Sequence, residues 1–462
     1  KMSKVTQLFR SASFVPTSGL HTGSIYVHWP YCAKRCSYCS FNKYILNPER
    51  KGLKTPWIVP EKRLVNGLLM ELRSLLKISR IESVTSIYFG GGTPSLMSPE
   101  SINSVVQELS ENLLKNAEVT LEVNPEDISN HKALDKLKEF KDGGINRISL
   151  GVQAFNDQDL KEMNRAHSLK ESIQAIQNAC HVFRPERVSL DLIFGRNDSQ
   201  TLGSWLNELE FANTFGVGHL SLYELTIDRG TPLWKDRSSG RYLSPSEDLV
   251  HKMYLESLTK VRSFGFERYE VSNFALSEFT QSRHNSTYWE GGEYIGIGPG
   301  AHGRLVVRSQ EDMDQYSAKD ILCNNTSHLD YSGRHTSHHR QERVQTLEPH
   351  EWVREVELIG HGTRRVRPLS PLDSCIELVG SGLRTLKGVN VHNWSILSND
   401  LGVSFKDLVL YSKETQRLWK EDYIQLSQKG LSLSDKGMNI TDYIAACLVS
   451  NLVRMEQELH KS

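Results

Sequence analysis

The chain has 462 residues, with 55 lysines and arginines against 55 aspartates and glutamates. This length allows two or three domains around a large buried core, and the balanced charge gives no indication of a nucleic-acid or anionic-membrane partner. No apolar run approaches the roughly 18 residues that a membrane span requires.

The N-terminal segment, residues 1–22, is basic and rich in hydroxyl side chains, and the first 48 residues contain no aspartate or glutamate. This composition is typical of a mitochondrial transit peptide or its remnant, and also of a disordered N-terminus. Mitochondrial localisation is therefore an expectation.

Three of the seven cysteines, Cys32, Cys36 and Cys39, lie within eight residues, directly after a short apolar run that reads as a strand ending at Pro30. A closed zinc site needs four ligands, commonly two separated Cys-x2-Cys pairs, and the chain has no second pair. Three thiolates can instead hold three irons of a [4Fe-4S] cluster and leave the fourth iron open to a small molecule. The loop thus favours an iron–sulfur cluster. The odd number of cysteines, with three assigned to the cluster, favours a reducing compartment.

This Cys-x3-Cys-x2-Cys spacing, with Tyr38 directly before the last cysteine, resembles the signature of the radical S-adenosylmethionine (SAM) superfamily. In that superfamily the open iron binds SAM, and an electron from the cluster cleaves SAM to a 5'-deoxyadenosyl radical. The resemblance implies a partial (β/α)6 barrel with a [4Fe-4S] cluster and SAM as cofactors.

From residue 84 to about 223 short apolar runs alternate with helical patterns, which predicts βα units around a parallel sheet, and the core barrel is predicted over residues 23–240. The predicted strands are Ser24 to Trp29, Val84 to Phe89, Val119 to Val123, Ile145 to Leu150, Val188 to Phe194 and His219 to Tyr223. A helix is predicted after Ser98, and capping-box patterns predict two more. The helix after Ser98 has an apolar face of Ile102, Val105, Val106, Leu109 and Leu113, and the capping boxes are Ser168 to Glu171 and Ser244 to Glu247. The six βα units alone thus predict an α/β fold with an open, partial (β/α)6 barrel, which is the fold of the radical SAM core barrel that the resemblance implies.

Polar residues and glycines follow the predicted strands, where βα sheets and barrels bind their ligands. The run Gly90 to Pro94 contains three glycines, which let a backbone approach a ligand closely. Each polar residue alone would more often be a cap or a surface ion pair. Together they match SAM-binding positions of the coproporphyrinogen-dehydrogenase-like branch. The resemblance implies that SAM contacts Tyr26, Tyr38, Gly91, Gly92, Thr93, Glu122, Gln153, Arg165 and Asp191.

Residues 241–307 are predicted to extend the barrel and contain the string His284-Asn285-Ser286-Thr287-Tyr288-Trp289. A lone histidine is usually structural, but a neutral imidazole is a common axial ligand of heme iron, and aromatic rings offer flat faces to a porphyrin. The string His-Asn-x-x-Tyr-Trp resembles the motif of HemW-type heme chaperones. The resemblance implies that heme is bound by His284, Asn285, Tyr288 and Trp289, with His284 on the iron.

One position separates the chaperones from the related enzymes. Oxygen-independent coproporphyrinogen dehydrogenases carry a fourth cysteine two positions after the third, where this chain has Phe41. The resemblance therefore implies a heme chaperone that delivers heme to respiratory hemoproteins. A radical SAM oxidoreductase acting on a porphyrin or related substrate is the alternative, and a non-catalytic docking barrel is a third reading. The heme recipient, SAM cleavage, dimer formation and peripheral membrane association stay open.

The remaining sequence divides into an insertion and a C-terminal domain. Residues 308–340 are polar and without periodicity, which favours a solvated loop over a metal site, although they hold Cys323, His328, His335, His338 and His339. Residues 341–462 are predicted to form a smaller, mainly helical domain similar to those of HemW and HemN. After residue 400, a helical segment followed by a turn at Asp435-Lys436-Gly437 indicates a winged-helix-like module.

Overall fold

The computed structural model describes residues 21–46, 59–308, 339–398 and 401–459. The predicted N-terminal segment and the polar insertion lie outside these ranges except at their edges. Four of the insertion's candidate metal ligands, Cys323, His328, His335 and His338, are therefore not described.

Seventeen strands are found in the described part of the chain. In chain order they are β1 (Thr22–Trp29), β2 (Tyr31–Cys32), β3 (Tyr44–Ile45), β4 (Ser83–Gly91), β5 (Leu113–Val123), β6 (Arg147–Gln153), β7 (Val188–Phe194), β8 (His219–Glu224), β9 (Glu267–Glu270), β10 (Asn273–Ala275), β11 (Tyr294–Ile297), β12 (His302–Val307), β13 (His339–Gln345), β14 (Thr363–Pro368), β15 (Val389–Asn390), β16 (Ile424–Ser427) and β17 (Gly430–Leu433). Twelve of them form one sheet in the order β14-β13-β12-β11-β1-β4-β5-β6-β7-β8-β10-β9. Strands β1, β4, β5, β6, β7 and β8 are parallel neighbours, which is the six-stranded barrel predicted from the sequence.

Helices connect these strands. In chain order they are α1 (Glu61–Ser79), α2 (Pro99–Glu108), α3 (Ala133–Asp142), α4 (Asp157–Glu162), α5 (Leu169–Phe183), α6 (Leu202–Asn213), α7 (Pro232–Ser238), α8 (Glu247–Ser263), α9 (Arg283–Trp289), α10 (Pro349–Ile359), α11 (Pro371–Gly382), α12 (Val391–Ser398), α13 (Phe405–Leu410), α14 (Lys413–Lys420), α15 (Asp435–Met438) and α16 (Thr441–Leu459). Side-chain caps begin many of them; the Ser168 capping box of α5 forms as predicted.

Two helix predictions were wrong in their bounds. Helix α2 ends at Glu108, and Leu113 begins strand β5 instead of extending the helix, because residue 112 already accepts a strand-like hydrogen bond from Val84 N. Helix α8 is capped by Ser246, whose hydroxyl accepts a hydrogen bond from Leu249 N, so the Ser244 to Glu247 pattern is not its capping box.

The C-terminal part is mainly helical, as predicted, and has its own apolar core. Helices α12 to α14 precede the hairpin of β16 and β17, and β15 completes a three-stranded antiparallel sheet, an order that suits a winged-helix-like module. In the described ranges, no helix is long and apolar enough to cross a membrane.

A buried carboxylate joins the barrel to the strands that extend it. Glu71 on α1 is fully buried and accepts hydrogen bonds from Gly298 N, Gly362 N and Trp352 Nε1 at 2.7 to 3.2 Å. Burial raises the pKa of this carboxyl to about 7. Its three N–H partners come from residues far apart in sequence, so this contact fixes the barrel against β11 and β14.

Candidate cofactor site

A cavity of about 450 Å³ opens at the carboxyl ends of the barrel strands. This volume is within the roughly 300–1,000 Å³ usual for small-molecule sites. The predicted site residues that line it are Cys32, Cys36, Tyr38, Cys39, Gly91, Gly92, Thr93, Glu122, Gln153, Arg165, Asp191 and Asn285. The fold therefore brings together all three cysteines and eight of the nine predicted SAM residues.

The glycine run ties strand β4 to the cysteine loop. Gly92 N donates to Trp29 O at 2.7 Å, and Thr93 N donates to Tyr31 O at 2.8 Å. A Cβ on Gly92 would lie 2.6 Å from Tyr31 O, and one on Gly91, whose φ is +103°, would lie 2.6 Å from the His28 ring. The glycines are thus required by close packing against the chain's own residues 28 to 31. That close packing is a physical reason different from the ligand approach expected from the sequence.

The three thiols of the cysteine loop line the cavity together. In the part of the chain that the structure describes, no three His, Cys, Asp or Glu side chains are arranged to hold one metal ion. A cluster binds each thiolate on a different iron, so its ligands need not converge on one point. Burial raises the pKa of Cys32 to about 11, which keeps this free thiol protonated, so iron would have to displace the proton.

Arg165 lies at the centre of the polar wall. Its Nη1 donates to Cys36 Sγ at 3.1 Å, and its Nη2 donates to Asn124 Oδ1 at 2.8 Å and to Gly151 O at 3.0 Å. These bonds aim a fixed positive charge at the cysteine loop. A guanidinium in this place suits a site for thiolates and for an anionic ligand group.

Two carboxylates face the same cavity. Glu122 accepts a hydrogen bond from Tyr88 Oη at 2.7 Å, and burial, with the charge of Asp191 adding to it, raises its pKa to about 7. Asp191 accepts from Ser149 Oγ at 3.0 Å, and burial raises its pKa as well. Gln153 ends β6 with φ +68°, an unfavourable backbone conformation for a residue with a side chain.

Several polar side-chain atoms of residues that line the cavity have no hydrogen-bond partner. Among the described residues, Arg165 Nε, Thr120 Oγ1 and Arg147 Nη2 are buried without a hydrogen bond. Unpaired buried polar groups are rare and costly. A ligand with carboxylate and hydroxyl groups, as SAM has, fits this donor set.

Tyr26 is the predicted SAM residue that does not line the cavity. Its hydroxyl hydrogen-bonds to His28 Nδ1 at 3.1 Å, and His28 Nε2 donates to Asn42 O at 2.8 Å. Tyr26 therefore lies behind the cavity wall and supports the segment that follows the cysteine loop.

Helix α9 places the predicted heme motif against the barrel interior. His284 is 1 % exposed, with Nδ1 hydrogen-bonded to Ser86 Oγ at 3.0 Å and Nε2 to Tyr288 Oη at 2.5 Å. Burial lowers the pKa of His284 to about 3, so the ring is neutral at physiological pH. Both ring nitrogens are occupied, and the side chain is not presented to solvent.

The other motif residues differ in exposure. Asn285 lines the cavity, whereas Tyr288 and Trp289 are half-buried, with the Tyr288 ring in contact with Tyr294 and the Trp289 ring in contact with Tyr269. Phe41, which stands where the related dehydrogenases have a fourth cysteine, is 67 % exposed at the cavity lining.

Sequence reasoning missed many residues of this site, and four of them contribute polar groups to the cavity lining. Tyr88, Thr120, Asn124 and Arg147 line the cavity. All except Asn124 lie within strands, and the inward-facing alternation of β4, in which Ser86, Tyr88 and Gly90 share one face, could have identified Tyr88.

The Radical SAM superfamily matches this chain over residues 26–202. A solved structure of coproporphyrinogen III oxidase (HemN) from Escherichia coli, described as a radical SAM enzyme, aligns with a TM-score of 0.69 over 93 % of this chain and 91 % of that chain. Sequence identity in that alignment is 19 %, so it establishes the fold. The barrel and its cysteine loop are those of a radical SAM protein.

Closer relatives define the family. The mitochondrial radical S-adenosyl methionine domain-containing protein 1 of Bos taurus is 38 % identical over 96 % of this chain and 91 % of its own length. The Mus musculus protein of the same name is also 38 % identical, over 95 % and 89 %. The heme chaperone HemW of Escherichia coli is 33 % identical over 61 % of this chain and 70 % of its own.

This chain belongs to the family of the mitochondrial radical S-adenosyl methionine domain-containing protein 1. The predicted mitochondrial localisation is confirmed by these relatives, which are named as mitochondrial proteins.

Proposed function

We propose that this protein is a heme chaperone that carries a [4Fe-4S] cluster and SAM and delivers heme to hemoproteins, with those of the respiratory chain as recipients. The likeness to HemW chaperones and the presence of Phe41 at the fourth-cysteine position support the proposal. The observation that carries it is a neutral histidine, His284, placed next to the cavity by α9.

In this proposal the cavity holds the resident cofactors. Cys32, Cys36 and Cys39 would bind the cluster, and Glu122, Gln153, Arg165 and Asp191 would bind SAM. When bound, the cluster and SAM together supply one-electron chemistry. The chain's own residues orient SAM through Arg165 and Glu122 and surround it with buried walls.

Heme is the cargo, and His284 is its proposed iron ligand. A neutral imidazole is competent to bind iron without losing a proton. Because Nε2 is bonded to Tyr288 Oη at 2.5 Å, the Tyr288 side chain must turn away before that nitrogen can reach iron. Tyr288 and Trp289 are half-buried, and in this proposal their rings would contact the porphyrin.

The test is anaerobic reconstitution followed by heme titration with and without SAM. We expect His284→Ala to weaken heme binding by roughly tenfold or more and to change the Soret band, since about 1.4 kcal/mol of ligation corresponds to tenfold. The matched control is His251→Ala, which alters an exposed histidine on α8. Transfer to apomyoglobin measures delivery.

Unchanged heme affinity and Soret band in His284→Ala, in protein with normal iron and sulfide content, would show that another group ligates the iron. No heme binding by the unaltered protein would remove the chaperone proposal.

A second candidate is a radical SAM oxidoreductase acting on a porphyrin or related substrate. The unpartnered Thr120 Oγ1 and Arg147 Nη2 in the cavity lining favour it, because they offer hydrogen bonds to a further polar group. Substrate-dependent 5'-deoxyadenosine formation over many turnovers would support this function.

A further inference from the structure

Three aromatic rings from strands β1 and β4 and helix α9 pack together beside the cavity. We call Tyr26, Tyr88 and His284 the aromatic stack. The Tyr88 and His284 rings are 4.9 Å apart and 24° from parallel, and the Tyr26 and Tyr88 rings are 6.3 Å apart at the same angle. The stack is the direct contact between the barrel wall and the proposed heme ligand.

Tyr88 contacts both the cavity and the His284 ring. Its side chain lines the cavity, where its hydroxyl donates to Glu122 Oε1 at 2.7 Å. The same ring packs on His284. Glu122 is a proposed SAM residue, so one side chain contacts both the proposed SAM site and the proposed heme ligand.

Strand β4 contacts the His284 ring through a second residue as well. Ser86, two residues before Tyr88 and on the same face of the strand, holds Nδ1 at 3.0 Å. A Cβ on Gly90 would lie 2.9 Å from Cε1 of Tyr88, so the glycine leaves the space that this ring occupies. A shift of Tyr88 therefore has to be accompanied by a shift of His284 or by loss of their contact.

A ligand in the cavity competes with Tyr88 for the Glu122 carboxylate, which accepts the hydrogen bond of the Tyr88 hydroxyl. A cationic or hydroxyl group that binds Glu122 changes the acceptor available to Tyr88 Oη, which lies in a buried setting where a lost hydrogen bond is costly. Tyr223, another tyrosine of the cavity, makes no ring contact with His284 among the residues described. Tyr88 is thus placed to transmit occupancy of the cavity, and Tyr223 is not.

We propose that Tyr88 is a positioning residue that couples SAM binding in the cavity to the conformation of His284 and α9. The inference rests on the proposed function, because it takes SAM as the cavity ligand and His284 as the heme ligand. It adds the residue through which the two sites communicate.

The test compares the reconstituted full-length protein with Tyr88→Phe, which keeps the ring and removes the hydroxyl. Hydrogen–deuterium exchange of residues 283–289 is measured without SAM and at saturating SAM, with saturation set for each variant by equilibrium dialysis. Heme titrations by Soret absorbance are run under the same two conditions. Tyr223→Phe is the matched control.

We expect SAM to change both the exchange rate of α9 and the apparent heme affinity of the unaltered protein by about fivefold or more, the usual lower range of coupling between sites. In Tyr88→Phe both ratios should fall below about twofold, while Tyr223→Phe keeps them. By reciprocity, heme should change SAM affinity by the same factor, and Tyr88→Phe should remove that effect as well.

The exchange measurement separates this inference from the chaperone proposal. If the unaltered protein binds no heme, but SAM still alters α9 exchange through Tyr88, the coupling stands and the chaperone function fails. If heme binds, but SAM leaves α9 exchange and heme affinity unchanged, or if Tyr88→Phe responds as the unaltered protein does, the coupling is wrong.

Discussion

The cavity and helix α9 are adjacent, but their polar groups are satisfied in opposite ways. In the cavity, Arg165 Nε, Thr120 Oγ1 and Arg147 Nη2 have no partner among the described residues. In α9, both nitrogens of His284 are bonded within the protein. The cavity can therefore accept a ligand as it stands, whereas His284 must lose a hydrogen bond before either ring nitrogen can bind iron, as the proposed function requires.

Under the proposed function, this difference distinguishes the site of a resident cofactor from the site of a transient cargo. A preformed donor set costs no rearrangement, which favours tight and lasting binding. A histidine whose ring nitrogens are hydrogen-bonded within the protein binds heme only when such a bond is broken. The apparent heme affinity is therefore the intrinsic affinity multiplied by the fraction of molecules in that open state. Under the proposed function, such a site binds heme and can also release it.

The largest expected effect comes from a substitution that alters the preformed polar groups of the cavity. Arg165→Lys keeps the charge but loses the planar guanidinium that binds Cys36 Sγ, Asn124 and Gly151 together. Hydrogen bonds to charged groups contribute about 1.5–3 kcal/mol, so SAM affinity should fall by roughly 10- to 100-fold. Equilibrium dialysis of labelled SAM, normalised to iron content, measures it.

The control for this variant is Arg241→Lys, which changes an exposed arginine paired with Asp236. Equal SAM affinity in both variants would show that Arg165 serves the fold and not the ligand.

A smaller effect is expected from pH. Burial raises the pKa of Glu122 to about 7, so below that pH the carboxyl is neutral and attracts the cationic groups of SAM less strongly. SAM affinity should therefore rise about tenfold from pH 6 to pH 8 and level off above, following one ionisation. Glu122→Gln should flatten this profile. A profile unchanged by the substitution would assign the ionisation to another group, such as Asp191.

The barrel and the cysteine loop could be predicted from the sequence because their signals are local. Cysteine spacing, capping boxes and the alternation of apolar runs with helices need no knowledge of the fold, and β7 was predicted with its observed bounds, Val188 to Phe194. The end of α2 was missed, because Leu113 continues the helical period but is drawn into β5 by pairing with Val84.

The contacts that decide how the site works are not local. Tyr88 and Glu122 are 34 residues apart, and Ser86 and His284 are 198 residues apart, so only the folded structure shows that they meet. Glu71 is a stronger case, since helical periodicity gives no reason to bury a carboxylate against three distant N–H groups. The motif indicated that His284 is special, but not that the fold keeps it closed.

The smallest expected effect tests the closed state of α9 itself. Tyr288→Phe removes the hydroxyl that hydrogen-bonds to His284 Nε2 and keeps the ring that would contact the porphyrin. A neutral hydrogen bond contributes about 0.5–1.5 kcal/mol, so heme affinity should increase by roughly 2- to 10-fold, with faster heme association. Stopped-flow Soret measurements give both values.

The matched control is Tyr44→Phe, which removes a tyrosine hydroxyl bonded to Leu347 O, away from the motif. A stronger and faster heme interaction in Tyr288→Phe alone would identify the Tyr288 hydroxyl as the group that keeps His284 closed. Weaker binding would instead mean that this hydroxyl contacts the bound heme. The closed state of His284 would then depend on Ser86, which hydrogen-bonds to Nδ1, and on Tyr88, which packs on the ring.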